Sequence, residues 1–359
     1  MKFLRLLLFP FSILYGIGVL FRNKAYDYGI LNSVKFQLPV ICVGNLAVGG
    51  AGKSPMTEYL IRLLKSDFTL AAISRGYGRK TQGLFFVEPE NSFEDTGDEP
   101  LQIKRKFEGI TVAVCEDRAE AIQCVSNEND VIILDDAFQH RAVSPSLSVL
   151  LFEYSSFLTT QLLLPAGNLR EPMSAKKRAT VIVVTKCPLD IDPSRKQAIA
   201  KKLKLRSDQH LFFSFLKYGT LQSLYDDLPS RPMISLSNTK NIILLSGIGN
   251  PVPLFKELTS YNAAVIHHEY PDHHHFTDKN IAKLVRAFNR LEAGDNVVIT
   301  TEKDSLRLLT DEFKKQLKGI PIFYLPIETY FNEPEKTSFN NIIIEYASKP
   351  TPGKRLYQS

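Results

Sequence analysis

At 359 residues, 44% of them hydrophobic, the chain is too long for one typical domain and apolar enough to bury two ordinary cores, which excludes a disordered protein. Its formal net charge of +6 comes without a long Lys/Arg run, so it suits an anionic substrate or an anionic membrane surface and makes no case for nucleic acid. Four scattered cysteines, Cys42, Cys115, Cys124 and Cys187, form no C-x-x-C pair and read as free thiols of a reducing compartment, the cytoplasm.

In chain order, residues 1–24 hold an uncharged apolar run from 6 to 21, with Lys2 and Arg5 before it and Arg22 and Lys24 after it. The run is slightly short for a full bilayer span and carries Pro10. No small-x-small cleavage site follows, so a retained N-terminal anchor, spanning or lying in the interface, is expected over a signal peptide. A simple core helix is the plainer alternative.

The stretch 40–60, VICVGNLAVGGAGKSPMTEYL, organises the rest. Val40-Ile41-Cys42-Val43 suits a buried parallel strand, and residues that can form a helix close the stretch. Between them lies Gly49-Gly50-Ala51-Gly52-Lys53-Ser54. Glycines let backbone N–H groups converge on one point, and the following helix adds the positive end of its dipole, so an anion fits there. Lys53 would reach the terminal phosphates of a nucleotide, and Ser54 would ligate Mg²⁺. The strict pattern G-x-x-x-x-G-K-[ST] wants glycine where this chain has Ala47.

Residues 69–74 read as a second strand running into Arg75-Gly76-Tyr77-Gly78-Arg79, two arginines placed to clamp a phosphate or, alternatively, a solvated basic turn. Gly97-Asp98-Glu99-Pro100 sets an acidic pair ahead of a helix, as a cap or as a catalytic base and its neighbour. Another strand, 110–114, precedes Glu116-Asp117-Arg118 at a helix start. Residues 131–134 form a fully apolar strand that delivers Asp135-Asp136 at its carboxyl end, the second Mg²⁺ element of a phosphate-loop protein. The polar groups after it, His140 among them, could face nucleotide or acceptor. Beyond a strand at 147–152, the loop 164–172 carries Arg170-Glu171, a functional pair or an incidental surface one. Strand 181–184 ends in Thr185-Lys186, but Pro188 stands where guanine recognition requires aspartate.

From 211 the strand–helix alternation restarts, with 211–215 as a connecting strand, 225–237 as a boundary region and 241–246 opening a second α/β unit. Residues 267–276 hold five of the seven histidines. No cysteine lies near and the spacing matches no usual zinc site, so a catalytic His–Asp arrangement is the reading. A final strand, 297–301, leads into Glu302-Lys303-Asp304, to which the sequence assigns no role, and the tail 349–359 reads as disordered.

The motifs GNLAVGGAGKSP, SRGYGR, GDEP, DRAEA, ILDDAFQHR, LLPAGNLREP, VVTK, SGIGNP, YPDHHHF and TTEKD, in this order behind an apolar N-terminus, closely resemble the tetraacyldisaccharide 4'-kinase family, the lipid A 4'-kinases of Gram-negative bacteria. The resemblance runs from the anchor to about residue 310. It implies an enzyme on the cytoplasmic face of the inner membrane that uses ATP and Mg²⁺ to phosphorylate the 4'-hydroxyl of a tetraacylated glucosamine disaccharide 1-phosphate, giving lipid IVA. It implies no nucleic acid and no obligate protein partner. Carried over by residue, Gly49 to Ser54 take the nucleotide, with Lys53 also acting in catalysis. Ser54, Asp135 and Asp136 take the metal. Asp98 and His273 form the catalytic dyad, and Arg75, Tyr77, Glu99, Arg118, His140, Arg170 and Glu171 line the substrate site. Ala137 stands where the family usually has glycine, and Ser54 where threonine is common.

The expected fold is α/β: a P-loop NTPase-type, mostly parallel sheet flanked by helices, a second smaller α/β domain and an N-terminal membrane helix. Its expected divisions are anchor 1–24, kinase domain 25–210, linker 211–237, C-terminal domain 238–348 and tail 349–359. In that reading Asp98 accepts the hydroxyl proton and His273 tunes it, which requires the two domains to face one another. A membrane-tethered nucleotide switch is the alternative from another class.

Overall fold

The computed structural model describes residues 5–225 and 228–349; the expected tail beyond 349 lies outside the described residues. The chain divides into two compact units, one of residues 1–216 with 329–359 and one of residues 217–328.

The first unit runs α1 (Phe9–Asp27), β1 (Val40–Asn45), α2 (Lys53–Leu64), β2 (Leu70–Ser74), β3 (Phe85–Phe86), α3 (Phe93–Thr96), α4 (Asp98–Lys106), β4 (Thr111–Val114), α5 (Arg118–Val125), β5 (Val131–Leu134), β6 (Leu147–Glu153), β7 (Val181–Thr185), α6 (Pro193–Leu203) and β8 (His210–Phe213). Its eight-stranded sheet has the order β3-β4-β2-β5-β1-β6-β7-β8. Every pairing is parallel except β3 with β4. Burial of all six residues of β1 and all four of β5 explains their continuous apolar runs, since helices cover both faces of such a sheet. Because β2 and β6 lie on opposite sides of β1, the chain reverses its winding there, and ligands of such sheets bind at the carboxyl ends of the strands beside that reversal.

The second unit begins within β9 (Phe215–Tyr218) and continues through β10 (Gln222–Ser223), β11 (Asn241–Ser246), α7 (Val252–Thr259), β12 (Ala264–Glu269), α8 (Asp278–Asn289), β13 (Asn296–Thr301), α9 (Glu302–Ser305), α10 (Asp311–Gln316), β14 (Ile322–Leu325) and β15 (Ile327–Tyr330). Its five-stranded sheet, β10-β14-β13-β11-β12, is parallel apart from β10. Alternate residues of β11 serve separate cores, Ile243 and Leu245 on one face and Ile242 and Leu244 on the other.

The chain divides differently from the expected 211–237 linker and 238–348 domain. The segment read as a connecting strand holds β8, which pairs with β7 as an edge strand of the first sheet. The last helix, α11 (Glu335–Ala347), belongs to the first unit, where Phe331 and Phe339 make edge contacts with Tyr59 and Phe212. That aromatic cluster, with Glu335 held by Lys196 and Phe213 N and Asn340 by the Tyr59 hydroxyl, ties the helix to residues far away in sequence.

Pro10 falls in the first turn of α1, where a missing N–H is harmless. The helix buries Ser12, Gly16, Val19 and Asn23 and leaves Phe11, Leu14 and Phe21 exposed, as is Leu7 just before it. Among the described residues no helix is long and apolar enough to cross a membrane, so the expected N-terminal membrane helix is not supported as a span.

Candidate active site

The glycine-rich loop leaves the carboxyl end of β1 and enters α2 at Lys53. Gly49 and Gly52 take φ of 107° and 80°, values that side chains oppose. Thr185, at the end of β7, donates its hydroxyl to the Ala51 carbonyl at 2.8 Å, and Val48 N donates to Asn168 O at 2.8 Å. The Thr185-Lys186 element therefore fixes the loop's backbone. Beside the loop opens a cavity of about 720 Å³ with Leu46, Val48, Phe152, Thr160 and Asn168 in its walls, a volume within the range of small-ligand sites.

Asp135 and Asp136 follow β5 and meet the start of α2. The Thr57 hydroxyl donates to Asp135 Oδ1 at 3.0 Å. Asp136 lies 3.5 Å from Lys53 Nζ and accepts from Arg170 Nη2 at 2.8 Å. The positive φ of this turn, 47°, falls on Asp136. Ala137 needs none, so its β-carbon is tolerated where the family usually has glycine. Burial pushes the Asp135 carboxyl up to about 7, assisted by the nearby Glu99 and Asp136 charges. Burial also acts on Asp136, but Lys53 and Arg170 outweigh it and hold that carboxyl below its usual range. An aspartate buried this deeply, oriented by a hydroxyl and short of positive charge, fits a hard cation. With Ser54 and Asp136 it would supply the few oxygens Mg²⁺ takes from protein when phosphates complete its shell.

The Asp135 shift carries a stability consequence. An unfolded aspartate loses its proton near pH 4, whereas the folded one keeps it to about 7, so the contribution is full below pH 4 and is lost as pH rises through about 7. The ligand-free protein is expected to lose melting temperature over that window, at most about 1.4 kcal/mol per pH unit from this group. Asp135→Asn should flatten the slope in thermal melts, and an unchanged slope would assign it to other groups.

Arg118 is 6% exposed and donates to the Glu116 carbonyl, while its Nε has no hydrogen-bond partner. Burial, then Arg75, lowers the Arg118 guanidinium; burial, then Arg118, lowers His140, whose Nε2 is likewise buried without a partner. Two side chains with buried, unsatisfied nitrogens, Arg118 and His140, beside the charge of Arg75 constitute a place prepared for an anion.

The loop carrying Arg75 packs against the one carrying Asp98. Gly97 has φ 88°, and a β-carbon there would lie 2.9 Å from the Tyr77 carbonyl, so this approach needs glycine. Asp98 opens α4 and is 6% exposed, while Tyr77 is 72% exposed. The expected two-arginine clamp is reduced to one. Arg79 is committed to Glu116 at 2.6 Å and to the Gly83 carbonyl at 2.7 Å, which leaves Arg75 exposed at the loop.

Arg170 reaches Asp136 and the Asn45 side chain, which joins its loop to the ends of β1 and β5. Glu171, expected at the substrate, has no exposed surface. Its carboxylate accepts from Arg22 at 3.0 Å, Asn23 at 3.2 Å and Arg178 at 2.8 Å, so it ties α1 to the Arg170 loop. Thr57, Asn45 and Arg178 were not singled out from the sequence, because isolated polar residues give no signal until folding brings them to a common point.

In the second unit the histidines separate. His267 and His268 lie in β12, whereas His273 sits in the loop after it with φ 59°. Lys303 Nζ lies 3.2 Å from His273 Nε2, and Arg307 Nη2 lies 3.4 Å from Nδ1. Among the described residues no three His, Cys, Asp or Glu side chains group as metal ligands.

The family model of tetraacyldisaccharide-1-P 4'-kinase matches residues 4–346. The chain is 42% identical over 347 residues to the tetraacyldisaccharide 4'-kinase of Phocaeicola vulgatus, covering 95% of each chain. It is 41% identical over 358 residues to that of Flavobacterium psychrophilum, covering 98% of this chain and 99% of that protein. The crystal structure of LpxK from Aquifex aeolicus in complex with ATP superimposes with a TM-score of 0.74 at 29% identity, covering 96% of this chain and 99% of that one.

Proposed function

The chain belongs to the tetraacyldisaccharide-1-P 4'-kinase family, and from that premise we propose the roles of its residues in an ATP-dependent lipid A 4'-kinase. The enzyme transfers the γ-phosphate of ATP to the 4'-hydroxyl of tetraacyldisaccharide 1-phosphate, giving lipid IVA. In our reading the fold is of the P-loop type, and Gly49 to Ser54 cradle the phosphates at the head of α2. Lys53 neutralises the charge that grows on the transferring group. Ser54, Asp135 and Asp136 hold Mg²⁺, which when bound polarises the phosphoryl oxygens. Arg170 fixes Asp136 for that task, and Arg75, Arg118 and His140, with Tyr77 and Glu99 beside them, receive the anionic substrate.

Asp98 takes the proton of the 4'-hydroxyl as its oxygen bonds to phosphorus and the bond to the ADP oxygen breaks. For His273 the reading is a role on the acceptor side of the reaction. The observation that carries the reading is the meeting of Lys53, Asp136 and Arg170 beside a loop held in positive φ, at the carboxyl ends of β1 and β5. The deciding experiment follows ³²P from γ-labelled ATP. Label appearing on the disaccharide lipid supports the reading, and release of free phosphate alone would support the nucleotide switch.

For α1 we propose an interfacial helix on the cytoplasmic face of the inner membrane. A helix that buries its polar residues and exposes its apolar ones has the wrong face outward for water and the right one for a lipid surface, where the acyl chains of the acceptor remain. Leu7, Leu14 and Phe21 are 74%, 66% and 72% exposed, so glutamate at all three should fold yet fail to sediment with anionic vesicles and lose activity on vesicle-borne acceptor. Undiminished vesicle binding would refute the interfacial role.

A further inference from the structure

We propose that the buried Asp304–Arg307 pair is the positioning element of His273, setting the orientation of its ring and placing the ring hydrogen on Nε2. The inference rests on the reading of His273 as part of the acceptor-side machinery, and it assigns a purpose to the TTEKD segment.

Three loops leave the carboxyl ends of β11, β12 and β13, and one carboxylate ties them together. Asp304 has no exposed surface. Its Oδ2 accepts from Gly247 N at 2.9 Å and from the Thr301 hydroxyl at 2.7 Å. Its Oδ1 accepts from Arg307 Nη1 at 3.0 Å. Arg307, 2% exposed, lies 3.5 Å from the carbonyls of both Gly247 and His274 and turns Nη2 toward His273 Nδ1 at 3.4 Å. The His273 backbone N–H donates to Gly247 O at 3.0 Å and to Asp272 Oδ1 at 3.1 Å.

These contacts explain how His273 keeps a φ of 59°. A side-chain-bearing residue stays in that region only when its surroundings over-determine it, and strain of this kind gathers at functional sites. A core histidine with only a packing role would not need a fully buried ion pair aimed at its ring.

Chemistry then selects the tautomer. Guanidinium and ammonium groups only donate, and a neutral imidazole has a single accepting nitrogen. Arg307 and Lys303 therefore compete for the ring, from Nδ1 and Nε2 respectively. Arg307 is planar, buried and clamped by Asp304, whereas Lys303 is a partly exposed ammonium on a flexible stem. The fixed donor wins, which makes Nδ1 the acceptor and leaves Nε2–H as the hydrogen the ring can offer to a carboxylate.

The test combines ¹⁵N NMR of ring-labelled histidine with kinetics of the full chain. Wild type should show the Nε2–H tautomer at His273, and Arg307→Met should shift it toward Nδ1–H. Arg307→Met should lower kcat roughly 10–100-fold with KM for ATP unchanged, as expected when a catalytic group loses its support. Arg307→Lys, which keeps a charge beside Asp304, should fall between. Combined with His273→Ala, Arg307→Met should add no further loss, because both changes remove the same function. An Nδ1–H tautomer in wild type, or full additivity in the double variant, would overturn the proposal. If His273→Ala alone left kcat intact, the reading of His273 in the reaction would fail, while the ring spectrum would still decide the positioning role.

Discussion

Replacing Lys53 with alanine is expected to lower kcat by about 10²–10³-fold, the loss typical of one preorganised group aimed at developing transition-state charge. The folded state should survive, because Asp136 retains Arg170 at 2.8 Å once the ammonium at 3.5 Å is gone. The loss should fall on kcat more than on ATP affinity. The loop amides and the dipole of α2 still receive the phosphates, whereas the charge of Lys53 matters most as the phosphoryl group transfers. Single-turnover rates with γ-labelled ATP, set beside equilibrium ATP binding, measure both quantities. A variant as fast as wild type would sink the phosphate-loop reading altogether.

Asp98→Ala is expected to cost about 10²–10⁴ in turnover, the range for losing a general base, with ATP binding nearly intact. Asp98 is 6% exposed at the first position of α4, so alanine removes packing as well as charge. Asp98→Asn preserves the shape and should lose as much. If asparagine kept the rate and alanine did not, the carboxylate would be structural and the base would lie elsewhere. The outcome also separates Asp98 from Asp136, whose interactions with Lys53 and Arg170 place it at the phosphate loop.

Continuous apolar runs made β1, β5 and β11 legible from sequence, since a parallel strand covered on both faces needs apolar side chains throughout. β12 was missed because it reads Ala264 to Glu269 with exposed positions alternating, as suits an edge strand, and because its histidines suggested a ligand cluster. β3 and β10 have two residues each, too few for any periodicity.

For the candidate site, motif spacing pointed to Lys53, Ser54, Asp135 and Asp136, and the fold brings the glycine loop beside the end of β5, with Lys53 Nζ 3.5 Å from Asp136. Spacing did not show how Arg79 and Glu171 are held. Arg79 has a carboxylate partner in Glu116, thirty-seven positions on, and Glu171 has a guanidinium partner in Arg22, nearly a hundred and fifty positions back. No window of sequence shows such a partner.

The sequence by itself determined the family of this protein, through a set of motifs specific enough to name it. Tertiary structure decided which charged residues are free to act and which are spent on holding the others. Glu171, Arg79, Asp304 and Arg307 are held in buried or partly buried pairs, and Arg75 retains exposure. The reason is that motif residues are set by short-range backbone geometry, while the burial and pairing of a charge depend on side chains that meet only when the sheet is complete.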